Sequence, residues 1–413
     1  MKNTQKHCRM FYVEGEKMKT NAYLGLYRVP LKRENATELA VLAEVLKNGT
    51  QQYPTVTKLA VVAEEMYGAL WDIHLVKKGA EVWLSYSLDV LKHVSEQEAL
   101  SFLCELMQNP KMEQGVFSKD TVKRCKEIIK QRLEAAEDDK RAFAAKRCLA
   151  LTAENNGAGV CADGYLEDLD HITAQTLTEL FFSIKQHAAL YLFFCGDSEG
   201  RKILKKWKKM LQITTAEVWQ YPENEIIPKQ IKKQQEQKQM TQARVAMGFL
   251  LPEKQKNLYG LQVLCEVLGG SANALFFNQI REEQGLCYDI SMRCDTVTGM
   301  AFAETGVSPK QAEHTIKEIL CIIKKVAQNG VEENLLQQAK TMLCQRYENF
   351  ADHAWTMLNF TAEQFIFEKG FSLEDAVKAL QSVTQKEIQY MAKELVCQAV
   401  YVLSGKEEQT CIS

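Results

Sequence analysis

Arg281 and Tyr288 stand at the two ends of the run Arg281-Glu-Glu-Gln-Gly-Leu-Cys-Tyr288, with Gly285 between them. A guanidinium is a permanent cation with a fork of N–H donors, and a phenol adds a neutral O–H donor. Donors preset against negative charge that develops in a transition state contribute about 2.7–4 kcal/mol each. The spacing allows that use: Arg281 is expected near a helix end, Gly285 permits the turn and Tyr288 begins a strand, so both side chains can face one cavity. The plainer reading is that Gly285-Leu286 is only a helix-to-strand turn and that Arg281 pairs with a neighbouring glutamate.

An internal repeat separates these readings. Val41-Leu-Ala-Glu-Val-Leu46 recurs as Val263-Leu-Cys-Glu-Val-Leu268 at an offset of 222 (263 − 41), and Pro30, Asn35 and Tyr27 fall on Pro252, Asn257 and Phe249. Gly68-Ala-Leu-Trp-Asp-Ile73 matches Gly285-Leu-Cys-Tyr-Asp-Ile290 at an offset of 217 (285 − 68), so the first copy holds five extra residues near the Gly49–Thr55 loop. Loops absorb such insertions at little cost. The first copy keeps the glycine and the aspartate (Gly68, Asp72) but has Glu64 in place of Arg281 and Trp71 in place of Tyr288. The arginine and tyrosine are therefore not demanded by the repeat.

Composition narrows the field. With 413 residues, 46% hydrophobic and 25% charged, the chain can bury a core in each half. A formal net charge of −2 offers no basic field for a phosphate backbone, and the lysine-rich run from Lys202 to Lys209 reads as a solvated helix face, so no nucleic-acid partner is expected. No window approaches the roughly 18 apolar residues of a membrane span, and the first residues lack an apolar signal core, so the expected location is the cytoplasm. Thirteen scattered cysteines without a Cys-x-x-Cys pair read as reduced thiols, mostly core filler.

The same order of elements is expected in each half. A strand (Ala22 to Val29; Arg244 to Leu251) feeds a helix (Thr37 to Leu46; Leu258 to Leu268). A second helix (Thr57 to Tyr67; Ala274 to Glu283) then leads into paired strands, Leu70 to Leu75 with Val82 to Leu88 and Cys287 to Arg293 with Met300 to Gly306. Long amphipathic helices follow, and a closing strand is preceded by a helix that opens near Thr173 or Thr384. The expected fold is α+β: two homologous halves, each a mostly antiparallel sheet with helices packed on one face. The expected division is 1–221, an exposed linker over 222–240 rich in Lys, Gln and Glu, and 241–413.

The repeat, the linker, and Leu268-Gly-Gly followed by Arg281-Glu-Glu-Gln-Gly-Leu-Cys-Tyr288 resemble the pitrilysin/insulinase family of zinc peptidases, which includes the mitochondrial processing peptidases. The resemblance covers nearly the whole chain and implies the metallohydrolase fold shared by LuxS and the processing peptidases. It also implies paired subunits that enclose a chamber and cut peptides held inside. Active members carry His-x-x-Glu-His on the first long helix, where two histidines four apart on one face hold Zn²⁺ and the glutamate acts as general base, and a later helix supplies a third ligand, Glu.

This sequence departs from that pattern. Counting back from Lys47-Asn-Gly-Thr50 puts Ala40 and Glu44 at the two histidine positions and Ala43 at the base, while alignment on Glu127-Ile-Ile puts Cys125 at the third ligand. Glu44 and Cys125 fall short of the three or four protein ligands of a zinc site, and no metal is expected in this chain. The plain reading of these remnants is a buried helix face at Ala40 and Ala43, a local pairing for Glu44, and a small apolar filler at Cys125. His7, His74, His93, His171, His187, His314 and His353 show no i, i+3 or i, i+4 spacing that would replace the lost pair. Lys17-Met-Lys-Thr-Asn21 and Glu65-Met-Tyr-Gly-Ala69 place the resemblance nearest the inactive, YmfF-like bacterial subfamily.

In active relatives an arginine and a tyrosine seven positions apart reach the zinc site from the second half, the tyrosine toward the oxyanion and the arginine toward a substrate carbonyl; Arg281 and Tyr288 match that pair. The resemblance thus implies a non-catalytic, zinc-free subunit of a heterodimeric peptidase, with zinc in its homologous partner and a peptide as substrate. The other reading is a non-proteolytic peptide-binding or scaffold homologue, forming a homodimer.

Overall fold

A computed structural model describes residues 8–197, 199–213, 216–222, 226–227, 230–252 and 257–405; His7 and part of the expected linker lie outside them. In chain order the first half contains β1 (Cys8–Glu14), β2 (Thr20–Pro30), α1 (Ala36–Leu46), α2 (Val56–Glu65), β3 (Leu70–Lys78) and β4 (Glu81–Leu91). It continues with α3 (Glu96–Gln108), α4 (Lys119–Ala135), α5 (Lys140–Thr152), α6 (Ala174–His187), β5 (Ala189–Gly196) and α7 (Gly200–Met210). The second contains β6 (Lys232–Gln237), β7 (Ala243–Leu250), α8 (Leu258–Gly269), a π-helical turn (Phe277–Glu283), β8 (Cys287–Cys294) and β9 (Met300–Val307). It ends with α9 (Ala312–Asn329), α10 (Glu333–Glu348), α11 (Ala354–Ile366), α12 (Leu373–Ser382), α13 (Gln385–Glu394) and β10 (Val396–Ser404).

The two halves build the same sheet. The strand orders β1-β5-β2-β4-β3 and β6-β10-β7-β9-β8 correspond position by position, and in each only the first pair is parallel. The register is repeated as well: Tyr27 lies opposite Leu84, and Phe249 opposite Ala301, at the sequence offsets of 222 (249 − 27) and 217 (301 − 84). Both helices that precede the closing strand open with a capping box, at Thr173 with Thr176 and at Thr384 with Glu387. A side chain that caps in this way contributes about 1 kcal/mol. The α+β class with two homologous halves is the observed one.

Two expectations are corrected. Residues 222–240 are not wholly a linker, because Lys232–Gln237 forms β6, an edge strand parallel to β10. Backbone pairing needs no apolar side chains, so hydropathy gave no sign of it. The halves are also not the compact units. One unit comprises 1–135, 160–223 and 349–370, and the other 136–159, 224–348 and 371–413, so α5 and α11 have changed places.

Each sheet therefore packs its own helices on one face and a helix from the other half of the sequence on the opposite face. Along β5 of the first unit, Leu190, Leu192 and Phe194 join the core under α1, α3, α6 and α7. The alternate residues Tyr191, Phe193 and Cys195, with Leu24, Leu26 and Trp83, meet Ala354, Leu358, Ala362 and Ile366 of α11. In the second unit Ala144 and Cys148 of α5 cover Ala246, Ala399, Tyr401 and Leu403. The four-residue spacing gives each exchanged helix one apolar stripe.

Arg28 of β2 fixes part of the first unit. Its Nε donates to Glu81 Oε2 at 2.6 Å with both side chains buried, and its guanidinium lies 4.0 Å from the centre of the Tyr221 ring. Tyr221 in turn donates its hydroxyl to the Arg28 carbonyl at 2.9 Å. Arg28→Met strands a buried carboxylate, and an expected loss of about 3–5 kcal/mol in urea unfolding checks the pair; a loss below about 1 kcal/mol contradicts it.

Candidate functional site

Ala40, Ala43 and Glu44 follow one face of α1, which together with Leu75 and Lys77 of β3 lines a cleft of about 180 Å³ in the first unit. Both alanines are buried. Glu44 Oε2 accepts from Arg132 of α4 at 3.1 Å, and Lys47 pairs with Asp72 at 2.9 Å. Burial raises the Asp72 carboxyl pKa, but the Lys47 hydrogen bond and charge outweigh it and leave the pKa lowered. Cys125 is buried on α4, accepts from Asn48 Nδ2 at 3.3 Å, and its thiol is pushed up to about 11 by burial, with the Glu44 charge adding to the shift.

These groups do not fit zinc. Ala40 and Ala43 cannot ligate, and Glu44 and Cys125 alone fall short of the three or four protein ligands that zinc takes. Glu44 is committed to an arginine, and no group of three or more His, Cys, Asp or Glu able to hold a metal occurs among the described residues. The second unit shows what Glu44 does instead. Glu266 pairs with Arg346 at 3.3 Å, and these residues correspond to Glu44 (266 − 44 = 222) and Arg132 (346 − 132 = 214). The pairing of this glutamate with an arginine of the later helix is thus a feature that the two copies share.

Arg281 lies on the π-helical turn, where the sequence led us to expect α-helix to Glu283. Ile280 is fully buried there, while the Arg281 guanidinium sits outside, 4.5 Å from the centre of the Phe277 ring. π-turns of this kind recur at functional sites. Glu282 approaches the guanidinium at 3.5 Å; both side chains are substantially exposed, so the pair contributes about 0.2–1 kcal/mol at most. The turn closes alike in both copies, by Leu286 N–H to Ile280 O at 3.0 Å and Ala69 N–H to Ala63 O at 2.9 Å. Gly285 and Gly68 follow the left-handed φ of 64° and 74° that these closures need.

Tyr288 differs from its counterpart in kind. Trp71 continues an unbroken ladder opposite Leu88 and packs edge-on to Phe102, with 6.0 Å between ring centres. At the place matched by sequence, β8 contains a bulge between Cys287 and Asp289, which leaves Tyr288 outside the ladder and 58% exposed, while the ladder place of Trp71 is taken by the buried Ile290, opposite Thr305 (305 − 88 = 217). Bulges re-aim side chains in this way. Asp289 is anchored by Arg244 Nη1, which reaches its two carboxylate oxygens at 2.7 and 2.9 Å. No hydrogen bond of the Tyr288 hydroxyl is present among the described residues, and none joins it to Arg281.

A feature that sequence did not point to is a cleft of about 550 Å³ in the second unit, beside the π-turn and the facing ends of α9 and α10. Asn273, Asn278, Gln279, Asn329, Asn334 and Gln338 bring six amides to its wall. Neither Arg281 nor Tyr288 lines it. The amides come from three separated segments without a shared period, so no pattern in the letters could reveal it.

Residues 171–343 match the family described as "Peptidase M16 inactive domain". The chain is 24% identical over 408 residues to the "Probable inactive metalloprotease YmfF" of Bacillus subtilis, covering 96% of this chain and 95% of that one. A conserved protein of Enterococcus faecalis superposes with a TM-score of 0.89 at 23% identity over 98% of each chain. A peptidase M16 inactive domain from Pseudomonas fluorescens does so with 0.79 at 17% identity over 97% of each. Along its whole length, then, the protein has the M16-like fold; it contains the domain described as peptidase M16 inactive domain and is homologous to YmfF.

Proposed function

We propose that the chain is the zinc-free subunit of a heterodimeric peptidase, paired with a homologue that bears His-x-x-Glu-His and zinc. In this reading Tyr288 offers its O–H to the oxygen on which negative charge develops, and Arg281 binds a substrate carbonyl. The metal and its activated water belong to the partner, so this chain binds, orients and polarises the peptide without cleaving it. The supporting observation is the turning out of Tyr288: the first copy packs an aromatic ring against the core at the sequence-matched position, whereas the second exposes one on a bulge, with no hydrogen bond to its hydroxyl among the described residues. Such a group is suited to a target that its own unit does not supply.

Co-expression with a zinc-bearing homologue tests the assembly. The expected result is a one-to-one complex by native mass measurement, with peptide turnover in the complex and none in either chain alone. Only homodimers of this chain in such a mixture, binding peptides without cleaving them, would favour the scaffold reading.

A further inference from the structure

In the second unit, the place that corresponds to the cleft around Ala43 is filled by two thiols. Cys265 of α8 matches Ala43 of α1 (265 − 43 = 222). Cys294 lies on β8 opposite Ala301, as Leu75 lies on β3 opposite Leu84, where Ala301 matches Leu84 (301 − 84 = 217). Ala43 and Leu75 both line the first-unit cleft. Cys294 packs against the core cluster that contains Cys265. Helix and strand are close here: a Cβ on Gly269 would come within 2.6 Å of the Met292 nitrogen. Cys265 is buried, whereas Cys294 is partly exposed and can be reached from solvent.

Neither thiol is required by the fold, because the first copy has alanine at the first place and, at the second, leucine by ladder register (Leu75) or lysine by the sequence offset of 217 (Lys77). They belong to no group able to hold a metal among the described residues. We propose that Cys265 and Cys294 are a dithiol site that a peroxide converts to a disulfide and a thiol reductant restores. Cys294 Sγ, as the thiolate, attacks one peroxide oxygen; an S–O bond forms, the O–O bond breaks, and the departing hydroxide takes up the proton the thiol lost, giving water. Cys265 Sγ then attacks the sulfenic sulfur; the S–S bond forms, the S–O bond breaks, and the leaving hydroxide takes the Cys265 proton to give a second water. Two thiols lose two electrons and the peroxide gains them. The product ties α8 to the strand that carries Tyr288.

Treatment of the native chain with hydrogen peroxide, followed by non-reducing peptide mapping, tests the site. The expected product is a linked pair of peptides containing Cys265 and Cys294, two mass units lighter than the sum of the thiols and reversed by dithiothreitol. Alkylation of Cys294 is expected to fall about tenfold on oxidation and to recover on reduction. Cys265→Ala, which installs the first copy's residue, is expected to stop at a Cys294 sulfenate trapped by dimedone. The proposal is overturned if the wild-type chain accumulates that dimedone adduct without the link. It is equally overturned if the linked peptides form no faster in the native chain than in one unfolded before oxidation.

Discussion

Tyr288→Phe is expected to lower kcat of the assembled heterodimer by about 10²–10³, the usual effect of removing one oxyanion donor. The same change is expected to leave the stability of this chain within about 0.5 kcal/mol, because the ring is 58% exposed and its hydroxyl makes no hydrogen bond among the described residues. The two readouts together separate a catalytic role from a structural one. KM is expected to move little, since the donor acts on charge that is absent from the bound substrate. Turnover that changes by less than about a factor of two rules out the transfer of an oxyanion donor between subunits.

A chain ended at residue 221 is expected not to reach a stable fold. It keeps every strand of the first sheet but lacks α11, which covers one whole face of it. Trp83, Leu26 and Phe193, each 1% exposed or less in the full chain, would lie open on that face. Burying side chains of this size contributes about 1.5–3 kcal/mol each, so losing three approaches the 5–15 kcal/mol net stability of an ordinary domain. Co-expression of residues 349–370 is expected to recover solubility. In the full chain Leu358→Ala, at a fully buried position, is expected to cost about 2–5 kcal/mol in urea unfolding. A soluble, cooperatively unfolding 1–221 fragment would contradict the requirement for α11.

A hint of this exchange was already in the letters. Leu190-Tyr-Leu-Phe-Phe-Cys195 is apolar on both faces, and a strand covered on one side alternates instead. What would cover the second face could not be read, because α5 and α11 carry ordinary helical stripes that fit any flat apolar surface. The candidate site divides in the same manner. The loss of the zinc ligands is a matter of residue type, and Ala40 and Ala43 cannot ligate in any fold. The outward turn of Tyr288 is a matter of register, and Cys-Tyr-Asp reads as a plain strand whether or not its ladder slips.

By itself the sequence determined the duplication, the α+β class, the order of elements and the replacement of the His-x-x-Glu-His residues at the first-half motif. These follow from local periodicity and from what each side chain can chemically do. Tertiary structure alone decided which helix covers which sheet, that Glu44 and Arg132 form a pair repeated as Glu266 and Arg346, and that two cysteines 29 positions apart (294 − 265) share one core cluster. Each of these depends on surfaces brought together from distant parts of the chain, where packing and backbone pairing select among partners that local propensity leaves equivalent.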